Sequence, residues 1–396
     1  MPRKTTVITG AVLGAAALSL ALGQRELSAT LERQVQAPYF EVDPMWPKPL
    51  PNGWLLGMVI GVGVDARDHV FIVHRGQATL NARTEGGYAK VGPCCSAAPP
   101  VLEFDPEGNL VNSWGGPGEG YVWPGSNHGI TIDHLGNVWI GGNGARDSVN
   151  MADSHILKFT HEGRFLQQIG IPGQPTNSNS MTSFGRVAKV SFDAAANEAY
   201  VADGYGNKRV AVLDMATGAI KRYWGAYGNA PSDTNYGPYD PAKPLIPQFR
   251  TPVHCAEPTT DGHVYVCDRV NNRIQVFTKA GKFVKEVQVA PLTRGDGAVW
   301  DIAFSRDAAQ KYLYLADGKN ERVYVMDRQS LEILTMFGDG GRQPGQFFAV
   351  HSIATDSKGN IFTTETYEGK RLQRFVYRGI RPVSRRDQGV PWPARP

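Results

Sequence analysis

The chain has 396 residues, 41% of them apolar and 20% charged, which suits one large domain or two ordinary ones and is too apolar for a disordered chain. A formal charge of +4 with no basic block removes nucleic acid from the expected partners. The 45 glycines and 27 prolines point to many turns, as an all-β chain requires.

At the N-terminus, Arg3 and Lys4 precede seventeen uncharged, mostly small and apolar residues at 7–23, and Ala21-Leu22-Gly23 offers the small residues a signal peptidase accepts. Residues 1–23 are expected to be a signal peptide. The alternative is an uncleaved anchor, because seventeen residues lie near the lower limit for a span. Either way the folded part is expected outside the cytoplasm, periplasmic or secreted, and a membrane is a partner only if the segment stays. Residues 24–55, including "APYFEVDPMWPKPLP", read as a linker and lead-in strand.

From 56 to 378 one pattern recurs six times: "GVGVDARDHVFIVHRG", "HGITIDHLGNVWIGGN", "AKVSFDAAANEAYVADGYGNKRVAVLD", "HCAEPTTDGHVYVCDRVNNRIQVF", "DIAFSRDAAQKYLYLADGKNERVYVMD" and "HSIATDSKGNIFTTETYEGKRLQRF". Each reads as strand, Asp/Gly/Asn turn, strand, polar loop and strand, with a fourth strand often following. Repeats of this kind predict an all-β, six-bladed β-propeller of NHL-type repeats, expected to be a monomer. Its last blade should be closed by a strand from the other terminus, which removes the open edge. The Gly/Asn/Pro/Ser-rich stretches 77–100, 143–153, 171–186 and 225–250 read as surface excursions, and 379–396 as an exposed tail.

Cys255 and Cys267 lie near the two ends of one expected hairpin, close enough for adjacent strands to pair them. The vicinal Cys94-Cys95, in "GPCCSAAPP", is left as a loop staple or two free thiols.

Three histidines share one phase. His128, His254 and His351 are each followed eight residues later by a turn glycine, and each begins the innermost strand of blades two, four and six. Alternate blades of a six-bladed ring stand a third of a turn apart, so three imidazoles converge on the channel, a ligand set suited to Zn²⁺ with an open position. The other histidines, His69, His74, His134, His155, His161 and His263, lack this phase and read as ordinary turn or core residues. Fifteen residues after His254 comes Arg269, and fifteen after its blade-one equivalent Ile60 comes Arg75. Both arginines end a second strand on the histidine-bearing face and would form a fork for a carboxylate. Tyr205, in "ADGYGNKR", lies near the same level, where a divalent cation and guanidinium groups would favour its ionisation and let it act as a base.

With "HRG" at 74–76, "HGI" at 128–130, "DGYGNKR" at 203–209, "DRVNNRIQVF" at 268–277 and "VHSIA" at 350–354, the chain resembles the peptidyl-α-hydroxyglycine α-amidating lyase family, in order over about 60–375. The resemblance implies a zinc-dependent carbon–nitrogen lyase that splits a carbinolamide into an amide and glyoxylate. It implies zinc on His128, His254 and His351, catalysis by Tyr205, Arg75 and Arg269, and a small-molecule or peptide substrate bearing a carboxylate. Three positions depart from the family. Ser352 stands where the family has an aspartate ligand for a structural calcium, so calcium is not expected. Ala349 replaces a methionine, and Gly206 replaces a cysteine of a family disulfide. Two other readings stay open: a metal-dependent lactonase-like hydrolase, whose sites favour carboxylate ligands, and a non-catalytic NHL-repeat binding propeller with a structural metal.

Overall fold

Within each repeat, β-branched and aromatic residues alternate between turn residues, and each repeat folds into a four-stranded antiparallel sheet. The structure, a computed structural model, describes residues 34–85, 92–145, 152–174, 177–389 and 392. The expected signal peptide at 1–23, the linker at 24–33 and the tail residues 390–391 and 393–396 lie outside the described residues. No helix among the described residues is long and apolar enough to cross a membrane.

The innermost strands of blades one to six are Val59–Val64, Asn127–Ile132, Lys189–Asp193, Val253–Pro258, Asp301–Phe304 and Val350–Thr355. Six apolar clusters hold the ring together, each wedged between two successive blades. Between blades one and two, for example, Phe71, Val73, Val138 and Phe159 are wholly buried, and burying each such side chain contributes about 1.5–3 kcal/mol. Trp139 is buried among polar neighbours too, and its indole N–H donates to Asp133 at 2.9 Å.

Blade six is closed by the lead-in strand Gln34–Asp43, which pairs with Leu372–Ser384. The expected boundary at 378 falls inside that last strand, a correction to the tail. Ile380 to Ser384 pair with Pro38 to Gln34, so the backbone groups expected to face solvent find partners in the closing sheet. The excursion at 77–100 also contributes a short strand, Ser96–Ala97, parallel to Trp54–Leu55.

Two fully buried ion pairs fix the loops at the histidine-bearing mouth. Arg209 reaches Asp203 at 2.8 Å and Arg273 reaches Asp268 at 2.7 Å. The same aspartates accept backbone N–H bonds from Gly185 and Arg250, tying each second strand to the loop beside it. Asp203 and Asp268 end the strands that lead directly to Tyr205 and Arg269.

Candidate metal centre and active site

The residues at the start of the six innermost strands form a ring: Ile60, His128, Ala188, His254, Trp300 and His351. The three imidazoles sit in a nearly equilateral triangle with ring centroids 4.9–5.1 Å apart, and all three are buried. Their ligand atoms lie within 4.8 Å of one another.

Each imidazole is oriented by the next blade. His128 Nδ1 donates to the Ala188 carbonyl at 2.7 Å, and His254 Nδ1 to the Trp300 carbonyl at 2.5 Å. For His351 the corresponding neighbour is the Ile60 carbonyl, which favours the ring's protonation, although the contact falls short of a full hydrogen bond. A proton held on Nδ1 leaves the Nε2 lone pairs aimed into the channel. Burial, assisted by Arg75 and Arg269, holds His128 down at about 3. Burial followed by Arg269 or a neighbouring imidazole keeps His254 and His351 well below the ordinary range. Three neutral imidazoles presenting lone pairs to one point are what a borderline divalent cation needs, and this donor set fits Zn²⁺.

The other expected residues gather at the same place. The Tyr205 hydroxyl lies 2.9 Å from His128 Nε2 and 3.1 Å from His254 Nε2, and receives Arg269 Nη1 at 3.3 Å. The Arg269 guanidinium stacks on Trp300 at 4.6 Å from the ring centroid. Among the described residues its Nε has no hydrogen-bond partner, and its Nη2 lies 3.7 Å from Asp296. Arg75 donates to the Asn143 side chain at 2.8 Å and to the Asn127 carbonyl at 3.4 Å, which fixes its direction. A cavity of about 460 Å³ opens beside Arg269, lined among others by Lys208, Tyr236, Phe249, Arg250 and Asp296. A larger one, about 630 Å³, opens at the other mouth around Lys189 and Glu257. Arg269 lines the smaller cavity, so size does not locate the site.

Sequence reasoning missed Trp300, Asn143 and Tyr367. Trp300 occupies the histidine phase in blade five, concealed by the longer turn at 305–311. Asn143 occupies the Arg75 and Arg269 position of blade two. Tyr367, whose ionisation burial disfavours, follows Glu365 as Tyr205 follows Asp203, and its charge environment includes Arg269, Tyr205 and Arg75. The departures have local causes. A side chain at Gly206 would run into the Gly185 carbonyl at 2.6 Å. Ser352 donates to Asp301 at 2.7 Å, beside the Lys189 ammonium. Both cysteine pairs are bonded, Cys255–Cys267 across the hairpin and Cys94–Cys95 in its loop.

The NHL repeat pattern matches residues 259–277. The chain is 26% identical over 322 residues to peptidylglycine alpha-amidating monooxygenase of Rattus norvegicus, covering 80% of this chain and 30% of that protein. It is 24% identical over 358 residues to peptidyl-glycine alpha-amidating monooxygenase B of Xenopus laevis, covering 87% and 36%. The chain thus spans about a third of the length of these relatives. NHL repeat-containing protein 3 of Mus musculus is 23% identical over 375 residues, covering 90% of this chain and 89% of that protein. Among solved structures, catalytically inactive virginiamycin B lyase from Staphylococcus aureus with quinupristin aligns at 16% identity and a TM-score of 0.47, covering 87% of this chain and 88% of that chain. The chain is a distant homologue of the amidating monooxygenases and carries the NHL repeat in a six-bladed propeller.

Proposed function

We propose that this distant homologue of the amidating monooxygenases is a zinc-dependent lyase that cleaves the C–N bond of a carbinolamide of the α-hydroxyglycine type, releasing an amide and glyoxylate. The observation that carries this reading is the gathering of three histidine ligand atoms within 4.8 Å of one another, two of them beside the Tyr205 hydroxyl, which also receives Arg269. His128, His254 and His351 would hold the zinc, which when bound supplies Lewis-acid polarisation of the substrate hydroxyl.

The chain's own residues do the rest. Arg269, stacked on Trp300, binds the substrate carboxylate. Arg75, aimed by Asn143, supplies the second arm of that fork. The carboxylate held there orients the carbinol carbon toward the histidines. Tyr205 is the proton acceptor at the reacting hydroxyl, and returns the proton to the leaving amide nitrogen as the C–N bond breaks. The cavity beside Arg269 takes the remainder of the substrate. Two disulfides support a working place outside the cytoplasm.

The test joins metal content to product. In the purified, untagged chain, His254→Ala should remove one equivalent of zinc with little loss of fold, and glyoxylate release from α-hydroxyhippurate should fall to background. Unchanged zinc content in that variant, or no glyoxylate from the zinc-loaded wild type, would overturn the reading. A second reading, a binding propeller with a structural metal, is favoured by one observation: the Tyr205 hydroxyl lies where a fourth ligand would close the site.

A further inference from the structure

Three turns on the face opposite the channel histidines share one arrangement, which the turn between the first two strands of blade one keeps only in part. At Asp105, Asp133 and Asp356 the aspartate accepts the backbone N–H four residues on, and the asparagine there (Asn109, Asn137, Asn360) donates its side-chain amide back at 2.7–3.2 Å. At the turn between the first two strands of blade one, Asp65 accepts the His69 N–H at 2.9 Å in the same way. Its fourth residue is however a histidine, which turns its ring away to Glu103 at 2.6 Å. Blade one also reverses a charge. The third-strand residue of blade two equivalent to Glu103 is Lys158, 3.7 Å from Asp133. Blade one puts the buried carboxylate of Glu103 there instead. His161, from the outer turn of blade two, then reaches Glu103 at 3.0 Å and Asp65 at 3.7 Å.

The ligand atoms of Asp65, His69, Glu103 and His161 lie within 4.8 Å of one another. Protons alone leave this group unbalanced. Nε2 of His161 contacts both Glu103 Oε1 and an Arg67 Nη2–H. Carrying a proton, it faces the arginine N–H; carrying a lone pair, it faces the carboxylate oxygen. One of the two contacts is repulsive in either state. A cation that accepts lone pairs from all four residues removes the conflict.

We propose that Asp65, His69, Glu103 and His161 form a second divalent-metal site, binding a first-row transition ion of the zinc type and clamping blade one to blade two on the face opposite the channel histidines. Two imidazoles and two carboxylates suit such an ion and balance its charge. Arg67, the exposed member at 57% of its side chain, occupies the mouth in the structure and swings outward on binding. It donates to the Asp65 carboxylate from Nε at 3.0 Å and Nη2 at 2.9 Å, and metal binding replaces those two bonds.

The full chain, stripped of metal and titrated with Zn²⁺ against a weak competing chelator, should bind two equivalents. His254→Ala should bind one, and Glu103→Gln one. Glu103→Gln conserves shape, so its folding is checked by thermal unfolding in parallel. With Co²⁺ in the His254→Ala protein, visible d–d absorption should appear and be abolished by adding Glu103→Gln. Arg67→Ala, which vacates the mouth, should tighten the second equivalent about tenfold. Zinc stoichiometry unaffected by Glu103→Gln would overturn the proposal whatever the channel site does.

Discussion

Two polar layers stand one residue apart along the channel, and they differ in what completes them. In the first, the His128 and His254 Nε2 atoms face the Tyr205 hydroxyl, with the His351 ring beside them. The second holds Lys189, whose ammonium lies 2.8 Å from Asp301 and 2.9 Å from Glu257, while Ser352 donates to the same Asp301. Burial alone would lower the Lys189 pKa, but the Asp301 and Glu257 carboxylates outweigh it and raise it. One layer is an ion cluster balanced by the protein's own charges; the other is a set of imidazole acceptors around one hydroxyl. The histidines are buried, and in the ion cluster Glu257 is partly exposed to the cavity there. The balance of donors and acceptors separates a structural cluster from a binding site. At the level where the resembling family uses calcium, this chain places Ser352 beside an ammonium group.

The open layer is tested most severely at Tyr205. Tyr205→Phe should lower glyoxylate release about 10²–10⁴-fold with zinc content unchanged, as expected for loss of a proton acceptor. Weakened zinc binding in that variant would make Tyr205 a ligand and favour the binding propeller. In the closed layer, Lys189→Met leaves two buried carboxylates without their cation. It should cost about 3–5 kcal/mol, read from denaturant unfolding at neutral pH. A loss of under about 1 kcal/mol would show that water already screens the cluster.

A smaller effect belongs to a third polar group, at the rim between blades five and six. Burial pushes Glu321 up to about 7, against the Ala349 N–H that favours its charge, with Glu365 adding repulsion. Its folded pKa lies above the ordinary 4.5, so the folded state keeps the extra proton between those values. Stability therefore falls as pH rises from about 4.5 to 7. Glu321→Gln should flatten that part of the profile and raise the melting temperature slightly at pH 8. Parallel profiles for the two proteins would show that Glu321 titrates normally.

The repeat was legible because strands and turns are local. Period-two alternation and Asp/Gly/Asn turns recur in every unit, and once six units are counted the ring follows. The same regularity gave His128, His254, His351, Arg75 and Arg269 their common face, since strand phase fixes which end of a blade a residue occupies. Tyr205 sits with them because it directly follows a strand whose terminal Asp203 is clamped by Arg209.

What the sequence by itself determined was whatever depends on position within one blade. Contacts between blades were decided only by the tertiary structure. The carbonyls that orient His128 and His254 belong to Ala188 and Trp300, sixty and forty-six residues away, and carry no side-chain signature. Lys189 meets Asp301 across 112 residues. His161 meets Glu103 from the next blade, so neither histidine of that cluster stood out by phase. Closure of the ring brings such pairs together, because packing one blade against the next sets their distance and no local pattern encodes it.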